Sequence, residues 1–212
     1  MAQSKICGLS TPEAVARALE GGAAYIGFNF FPKSPRHVTA DVAARLANLA
    51  RNKAKVVAIT VDASDSDLDK IVQELKPDLI QLHGRETPNR AADIRARTGI
   101  GVVRAISVSS ASDIDAAAAF DGAADHLMFD AKASPDAALP GGNGVAFDWT
   151  LLKGRRFSRP WFLAGGLDPW NVEDAVRASG APLVDVSSGV ERGPGLKDPD
   201  LISAFLNAVR RA

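Results

Sequence analysis

Near its C-terminus the chain reads Leu183-Val184-Asp185-Val186-Ser187-Ser188-Gly189-Val190-Glu191. The β-branched apolar run predicts a strand, and Ser-Ser-Gly predicts the turn that ends it. Small residues leave the backbone N–H groups of such a turn uncovered, and the two hydroxyls add further donors. This combination favours a phosphate site at the end of the strand, although the same residues also suit an ordinary strand-to-loop turn.

A second segment of the same kind precedes it. The apolar run from Trp161 ends in Gly165-Gly166-Leu167, and Asp168-Pro169 then signals a helix start. Two consecutive strand–glycine–helix units predict two parallel strands side by side, whose loops open toward one ligand. In eight-stranded α/β barrels, the loops after the seventh and eighth strands commonly form a phosphate site.

Six more alternations of strand and helix precede these two. The predicted strands are, in order, Lys5 to Gly8, Tyr25 to Phe30, Lys55 to Val61, Leu79 to His83, Val102 to Ile106 and His126 to Asp130. An open doubly wound sheet is the alternative, but the Gly-x-Gly-x-x-Gly fingerprint is missing after the first strand. The pattern therefore predicts an α/β fold, a (β/α)8 TIM barrel, as one domain over residues 1–212.

The longest irregular stretch, 131–146, follows the sixth strand and contains Gly141-Gly142-Asn143-Gly144. Long loops in compact domains are usually functional or disordered. Three glycines in this run favour a backbone clamp on phosphate, which would be the third beside those at Gly165-Gly166 and Ser187-Ser188-Gly189.

Composition and charge set limits on the class of protein. The 212 residues are 46% hydrophobic and carry 25 basic and 25 acidic side chains, so charge gives no reason to expect binding to nucleic acid or a membrane. No apolar run is long enough for a transmembrane helix, and the N-terminus lacks a signal-peptide pattern. The lone cysteine suits a reducing compartment, which predicts a cytoplasmic enzyme. The three histidines lack metal-binding spacing, although ligands from distant strand ends are not thereby excluded.

Polar residues at the predicted strand ends are the candidates for chemistry. Cys7 ends the first strand and Asp130 ends the sixth, so a barrel would place a potential base and acid on opposite sides of one ligand. A lone cysteine is more often a small buried hydrophobe, and Asp130 would also suit a turn. His83 and Asp185 at other strand ends are candidate substrate-binding residues, and Arg36 in the second loop suits a substrate carboxylate.

Several stretches, taken together and in order, resemble the phosphoribosylanthranilate isomerase family of tryptophan biosynthesis. They are Lys5-Ile6-Cys7-Gly8, Gly27-Phe28-Asn29-Phe30-Phe31-Pro32-Lys33-Ser34-Pro35-Arg36, Gln81-Leu82-His83-Gly84, Phe129-Asp130, Gly141-Gly142-Asn143-Gly144, Phe147-Asp148-Trp149, Leu163-Ala164-Gly165-Gly166-Leu167 and Val184-Asp185-Val186-Ser187-Ser188-Gly189-Val190-Glu191. The resemblance implies an Amadori rearrangement of N-(5-phosphoribosyl)anthranilate, without metal or organic cofactor.

The resemblance also implies roles for individual residues. The general base falls on Cys7 and the general acid on Asp130, and Arg36 would face the anthranilate moiety. The phosphate loops fall on Gly142, Asn143 and Gly144, on Gly165 and Gly166, and on Ser187, Ser188 and Gly189. Relatives often read Gly-Gly-Thr-Gly-Gln-Thr where this chain has Asn143, Val145 and Ala146. The missing hydroxyl would alter one expected contact to phosphate, whereas backbone N–H donors do not depend on it.

This chemistry sets requirements on two groups. Asp130 would have to be protonated to donate to the furanose ring oxygen, and Cys7 would then remove the C2 proton as a thiolate. Positive potential near Cys7 would lower or poise the pKa of the thiol. Lys5 lies two positions earlier, on the same face of a regular strand, and is the candidate source of that potential.

Three alternatives stay open at this point. An indole-glycerol-phosphate synthase-like lyase would require lysine and glutamate at several strand ends, and a pentose-phosphate epimerase would require a convergent His/Asp metal set. A third possibility is a non-catalytic barrel that binds a phosphate ligand. A small-molecule substrate of narrow specificity is expected, and the protein is a monomer or a homodimer.

Overall fold

The barrel predicted from the strand–helix alternation is present and closed. The computed structural model describes residues 1–132, 141, 144 and 146–212. Eight parallel strands pair in chain order, and the eighth pairs with the first. They are β1 Gln3–Cys7, β2 Tyr25–Asn29, β3 Lys55–Thr60, β4 Leu79–Leu82, β5 Gly101–Val108, β6 His126–Ala131, β7 Trp161–Leu163 and β8 Leu183–Val186.

Helices lie between most of the strands and cover the outside of the barrel. They are α1 Pro12–Glu20, α2 Ala40–Ala47, α3 Asp65–Leu75, α4 Pro88–Thr98, α5 Ala111–Asp115, α6 Val172–Ser179 and α7 Pro199–Arg211. Hydroxyl caps start several of them: Thr11 and Thr87 accept backbone N–H groups and precede a proline in the first turn. No helix in the described part of the chain is long and apolar enough to cross a membrane.

Four local details differ from the sequence prediction. The helix predicted over 111–120 is α-helical only to Asp115 and continues as a 3-10 helix, Ala116–Phe120. The helix predicted to start at Asp168 starts at Val172, because the Asp168 carboxylate accepts two backbone N–H groups in a turn before it. Helix α2 ends at Ala47 rather than Arg51.

The fourth difference is a short antiparallel hairpin between β8 and α7. Its strands are β9 Glu191–Gly193 and β10 Leu196–Lys197, and Lys197 pairs with Glu191. The predicted loop in this region is therefore ordered as a hairpin beside the C-terminal ends of the barrel strands.

Strand alternation divides the buried side chains into two sets. One set packs between the barrel and the helices, with Ile6, Phe28 and Phe129 among its fully buried members. The other set fills the barrel interior, where Tyr25 and Phe162 pack edge to face. Lys5 and Cys7 are alternate residues of β1, and both occupy positions that face the barrel interior, as predicted.

Candidate active site

A pocket opens at the C-terminal ends of the barrel strands, and it contains nearly all the predicted site residues that the structure describes. Those that line it are Cys7, Arg36, His83, Asp130, Gly144, Gly165, Gly166, Asp185, Ser187 and Ser188. Gly142 and Asn143 lie outside the described residues. The strand-end rule therefore placed residues from six strands or their following loops around one cavity.

Cys7 is buried at the end of β1 and lines the pocket. Burial raises the pKa of its thiol, and although Lys5 acts in the opposite direction, the pKa stays above its ordinary value. The expected sign of the Lys5 contribution is correct. Lys5 does not bring the pKa of Cys7 below its ordinary value, because the desolvation of a thiolate outweighs the effect of one nearby ammonium.

Lys5 is fully buried, and its ammonium donates to Asp185 Oδ1 at 2.7 Å. Burial lowers the pKa of Lys5, but Asp185 and Cys7 outweigh this effect and leave the pKa above its ordinary value. Lys5 and Asp185 are neighbours in the register of β1 and β8, the pair of strands that closes the barrel. Asp185 therefore holds a charged lysine beside the thiol as well as lining the pocket.

The Asp130 carboxyl group lies next to the His83 imidazole in the wall of the pocket. Asp130 Oδ1 accepts the backbone N–H of Ala131 at 2.9 Å, and Oδ2 lies 3.2 Å from His83 Nε2. The amide nitrogen of Gln81 lies 2.9 Å from the other ring nitrogen, His83 Nδ1. The carboxyl group is thus connected to a polar chain that runs along the interior face of β4.

Arg36 is buried and forms a two-pronged ion pair with Glu191. Its Nε donates to Oε1 at 2.8 Å and its NH2 donates to Oε2 at 2.9 Å. Lys197 donates to the same carboxylate at 2.7 Å and to the carbonyl of Ser187 at 2.8 Å. The hairpin therefore links the Arg36 loop to the loop after β8.

The charges in this network shift two pKa values. Burial raises the pKa of Glu191, but hydrogen bonds and charges from Arg36 and Lys197 outweigh it and bring the pKa below its ordinary value. Burial lowers the pKa of Lys197, and the Glu191 carboxylate offsets this only in part. Two cations thus share one buried carboxylate beside the loop after β8.

Glycines at the predicted phosphate loops meet tight backbone requirements. Gly144, Gly165 and Gly166 have φ of 71°, 84° and 65°, a region that disfavours residues with a Cβ atom. Gly189 does not line the pocket. A Cβ atom there would collide with the backbone carbonyl of Leu167, so Gly189 instead allows the β8 loop to pack against the β7 loop.

Three polar residues next to the site were not predicted as site residues. Gln81 had a readable signal, because strand alternation puts it on the same face as His83. For Glu191 and Lys197 the sequence offered only the Gly193-Pro194-Gly195 turn between them. That turn indicates a reversal of the chain, but it does not predict which side chains the two residues bind. Among the described residues, no cluster of three or more His, Cys, Asp or Glu side chains is placed to hold a metal ion.

Comparisons with known proteins agree with the geometry of the pocket. The model of the N-(5'phosphoribosyl)anthranilate (PRA) isomerase family matches residues 4–208. An N-(5'-phosphoribosyl)anthranilate isomerase from Caulobacter sp. (strain K31) is 64% identical over 212 residues, which is all of both chains.

Solved structures give the same result. The phosphoribosyl anthranilate isomerase of Thermotoga maritima superposes with a TM-score of 0.88 at 31% identity, over all of both chains. A second isomerase structure, in complex with reduced 1-(o-carboxyphenylamino)-1-deoxyribulose 5-phosphate, has a TM-score of 0.85 at 29% identity, also over all of both chains.

Proposed function

The chain belongs to the N-(5'-phosphoribosyl)anthranilate isomerase family, and on that premise we propose how its residues share the reaction. It is an isomerase of tryptophan biosynthesis, and its reaction converts N-(5'-phosphoribosyl)anthranilate to 1-(2-carboxyphenylamino)-1-deoxy-D-ribulose 5-phosphate. Family membership favours isomerisation over the lyase, epimerase and binding-only alternatives. The proposal rests on one observation: Cys7 and Asp130, from β1 and β6, line the same pocket.

In the first step Asp130 is the general acid. Its proton passes to the furanose ring oxygen as the C1–O bond breaks, and the nitrogen lone pair of the anthranilate forms the C1=N bond of an open Schiff base. Asp130 is left as a carboxylate. The position of this residue supports the role, because its carboxyl group lines the pocket at the end of β6 and only Oδ1 accepts the backbone N–H of Ala131.

In the second step Cys7 is the general base. Its thiolate removes the C2 proton, the C2–H electrons form an enamine, and the enamine tautomerises to the ketone. The raised pKa of Cys7 means that a small fraction of the free enzyme carries the thiolate near neutral pH. The buried Lys5 ammonium supports the base role, since it stabilises the thiolate when it forms.

The two ends of the substrate bind in different ways. The phosphate is held mainly by backbone N–H groups from the loops after β6, β7 and β8, including Gly144, Gly166 and Ser188. Arg36 faces the anthranilate carboxylate. Glu191 already holds the Arg36 guanidinium in place, and this preorganisation reduces the entropy that substrate binding would otherwise cost. His83 and Asp185 complete the proposed substrate contacts.

One assay tests the function. Loss of substrate fluorescence is followed with purified enzyme, with and without EDTA. The expected result is full turnover in both samples, because the proposed mechanism uses only acid and base groups of the chain. Turnover that EDTA abolishes would favour metal-dependent chemistry, and tight substrate binding without turnover would favour a binding protein.

Three further expectations belong to this proposal. The enzyme works in the cytoplasm, acts without a cofactor or a nucleic-acid partner, and is a monomer or a homodimer. Its substrate range is narrow, because a second set of phosphate-binding loops in the N-terminal half was not found in the sequence. Comparable turnover of the histidine-pathway aminoaldose would contradict narrow specificity, and size-exclusion chromatography measures the assembly state.

A further inference from the structure

Gln81, His83 and Asp130 form a continuous polar chain from the barrel interior to the reacting end of the pocket. The Gln81 amide nitrogen is 2.9 Å from His83 Nδ1, and His83 Nε2 is 3.2 Å from Asp130 Oδ2. Gln81 is 1% exposed, so water does not compete for its amide group. The imidazole therefore connects a buried amide to the proposed acid.

Arg104 and Glu86 fix the backbone on both sides of His83. Arg104 on β5 donates to the carbonyls of Leu82 and Gly84, each at 3.1 Å. The N–H of Gly84 donates to Glu86 at 2.9 Å, and Glu86 in turn pairs with Arg104. These bonds fix the backbone that carries the imidazole beside Asp130, since buried hydrogen bonds around it resist its displacement.

Gly141 covers the contact between the imidazole and the carboxyl group. A Cβ atom at this position would collide with His83 Nε2 and would lie 2.8 Å from Asp130 Oδ2. Only a residue without a side chain allows the backbone to come this close. Gly141 therefore leaves little room for water between the imidazole and the carboxyl group.

The two oxygens of Asp130 are not equivalent. Oδ1 accepts the N–H of Ala131, so Oδ2 is the oxygen available to carry a proton. That proton needs an acceptor until substrate arrives, and His83 Nε2 is the group next to it. A lone pair on Nε2 requires the neutral imidazole to carry its own proton on Nδ1.

Gln81 determines whether that tautomer is stable. Its amide presents either the NH2 group or the oxygen to Nδ1, depending on rotation about its last bond. Among the residues that the structure describes, Gln81 Oε1 is buried without a hydrogen-bond partner. No contact in that part of the chain fixes the far side of the amide, so both orientations are open to it.

We propose that Gln81 and His83 are positioning residues that hold the proton which Asp130 donates. In the loaded arrangement, Gln81 Oε1 accepts from Nδ1–H, and Nε2 accepts the proton carried by Oδ2. Donation to the ring oxygen leaves the carboxylate. His83 lines the pocket, so solvent there can supply a proton to Nε2 and take up the Nδ1 proton. Rotation of the amide then gives the unloaded arrangement, in which Gln81 donates to Nδ1 and Nε2–H faces Oδ2. Uptake of one proton restores the loaded form.

The inference depends on the acid role of Asp130 and predicts a signature in the imidazole. The chain has three histidines, so a ¹⁵N spectrum of histidine-labelled enzyme is simple, and His83→Gln identifies the signals of His83. The kcat/KM profile should fall at high pH, and this fall is its alkaline limb. In the free enzyme we expect Nδ1 of His83 to be protonated at pH values below the limb, and Nε2 alone to be protonated at pH values above it. An Nε2–H tautomer throughout the active pH range would overturn the proposal.

Other charged groups also influence the pH profile. Those that line the pocket or support His83 are Cys7 from β1, Arg36 from the loop after β2, Asp62 from the loop after β3, Glu86 from the loop after β4, Arg104 from β5, Lys132 after β6 and Asp185 from β8. Titration of any of these groups can shift a limb of the pH profile of kcat/KM. The ¹⁵N signals of His83 therefore decide whether the limb reports the His83 tautomer.

Gln81→Met removes both the donor and the acceptor at similar size. We expect kcat to fall about 10-fold, less than the ~10²–10⁴-fold expected for loss of the acid, with KM nearly unchanged and the alkaline limb moved to lower pH. The matched control is Thr60→Val. It removes a buried hydroxyl that donates to the backbone carbonyl of Gln81 at 3.3 Å but leaves the side-chain amide of Gln81 intact. An unshifted limb in Gln81→Met would overturn the proposal, and so would an equal shift in Thr60→Val.

Asp130→Asn separates this inference from the proposed function. If Asp130→Asn keeps near-normal turnover, the acid assignment fails and the positioning role fails with it. If Asp130→Asn is inactive while Gln81→Met changes neither the limb nor the His83 tautomer, only the positioning role fails. Should Gln81→Met not fold, the wild-type ¹⁵N titration still decides the question.

Discussion

At Cys7, two physical effects act in opposite directions on one thiol. Burial raises its pKa, and the Lys5 ammonium lowers it without cancelling the effect of burial. At any pH below this raised pKa, the thiolate fraction is smaller than that of an ordinary cysteine. Because Cys7 is the single cysteine of the chain, alkylation reports this thiol alone.

We therefore expect iodoacetamide to inactivate the enzyme slowly near neutral pH, with a rate that keeps rising where an ordinary thiol has reached its plateau. Lys5→Met removes the charge that lowers the pKa of Cys7. The pH dependence of its inactivation rate should therefore lie at still higher pH. Arg177→Met, on the exposed face of α6, is the control and should leave the curve in place. A phosphate-bearing product analogue should protect Cys7. Rapid alkylation at neutral pH would contradict the burial argument.

Asp130→Asn and Cys7→Ala should each lower kcat by about 10²–10⁴-fold with little change in substrate affinity, because neither side chain holds the phosphate. The two variants should stop at different steps. Asp130→Asn should accumulate intact aminoaldose, whereas Cys7→Ala should open the ring but fail to exchange the C2 hydrogen with solvent. Near-normal turnover by Cys7→Ala would make Cys7 a structural residue only.

Ser188→Ala should raise KM modestly, and Gly166→Val should damage binding much more. One hydrogen bond contributes about 0.5–1.5 kcal/mol, or up to roughly 3 kcal/mol to a charged group. A valine at Gly166 would have to adopt φ near 65°, which is strained for a β-branched residue, beside a pocket that Gly166 lines. Steady-state KM and inhibition by inorganic phosphate measure both effects. Equal damage by the two variants would contradict a grip made chiefly of backbone donors.

The β9–β10 hairpin is the element that connects the loop carrying Arg36 to the loop after β8. Glu191 holds Arg36, and Lys197 holds both Glu191 and the Ser187 carbonyl. At the turn, Gly195 N–H also donates to Glu191 at 3.1 Å. The hairpin therefore acts as a brace between the loop after β2 and the loop after β8.

Two glycines of this hairpin give a matched pair of variants. Gly195 has φ of 78°, and a Cβ atom there would collide with the carbonyl of Pro35, next to Arg36. Gly195→Ala should raise KM several-fold and destabilise the fold by about 1–3 kcal/mol. Gly193→Ala should be nearly neutral, since its Cβ would meet only Leu196 at an ordinary 3.7 Å. KM and urea unfolding measure both, and similar effects of the two variants would contradict the brace.

On the scale of the whole molecule, the Lys5–Asp185 ion pair lies across the β1–β8 seam that closes the barrel. Lys5→Met should destabilise the protein by about 3–5 kcal/mol, because it leaves Asp185 buried and unpaired. Lys5→Met combined with Asp185→Leu should recover most of that stability but little activity. Urea unfolding and kcat/KM measure the two quantities. A stable Lys5→Met single variant would show that the pair does not hold the seam.

Much of this molecule could be read from local patterns. Each strand–helix unit carries its own apolar alternation, caps and glycines, so the repeat itself predicts eight parallel strands. In such a barrel the C-terminal strand ends converge by construction. For this reason the sequence predicts one pocket for Cys7, Asp130, Gly165-Gly166 and Ser187-Ser188, which all line it. The start of α6 at Val172 was missed, because the Asp168 carboxylate accepts two backbone N–H groups in the turn before the helix. The 3-10 turn after α5 was also missed, and it has no side-chain cap to mark it.

The sequence by itself determined the barrel, the order of its strands and the side chains presented at their ends. The partners of those side chains depend instead on how the strands and loops pack: Lys5 pairs with Asp185, 180 residues away, Arg36 with Glu191, 155 away, and His83 with Asp130. Pairing of this kind depends on strand register and on which loops meet above the barrel, and neither is encoded in a local pattern. The raised pKa of Cys7 follows from burial in the same assembled core, so it too could not be read before the fold was known.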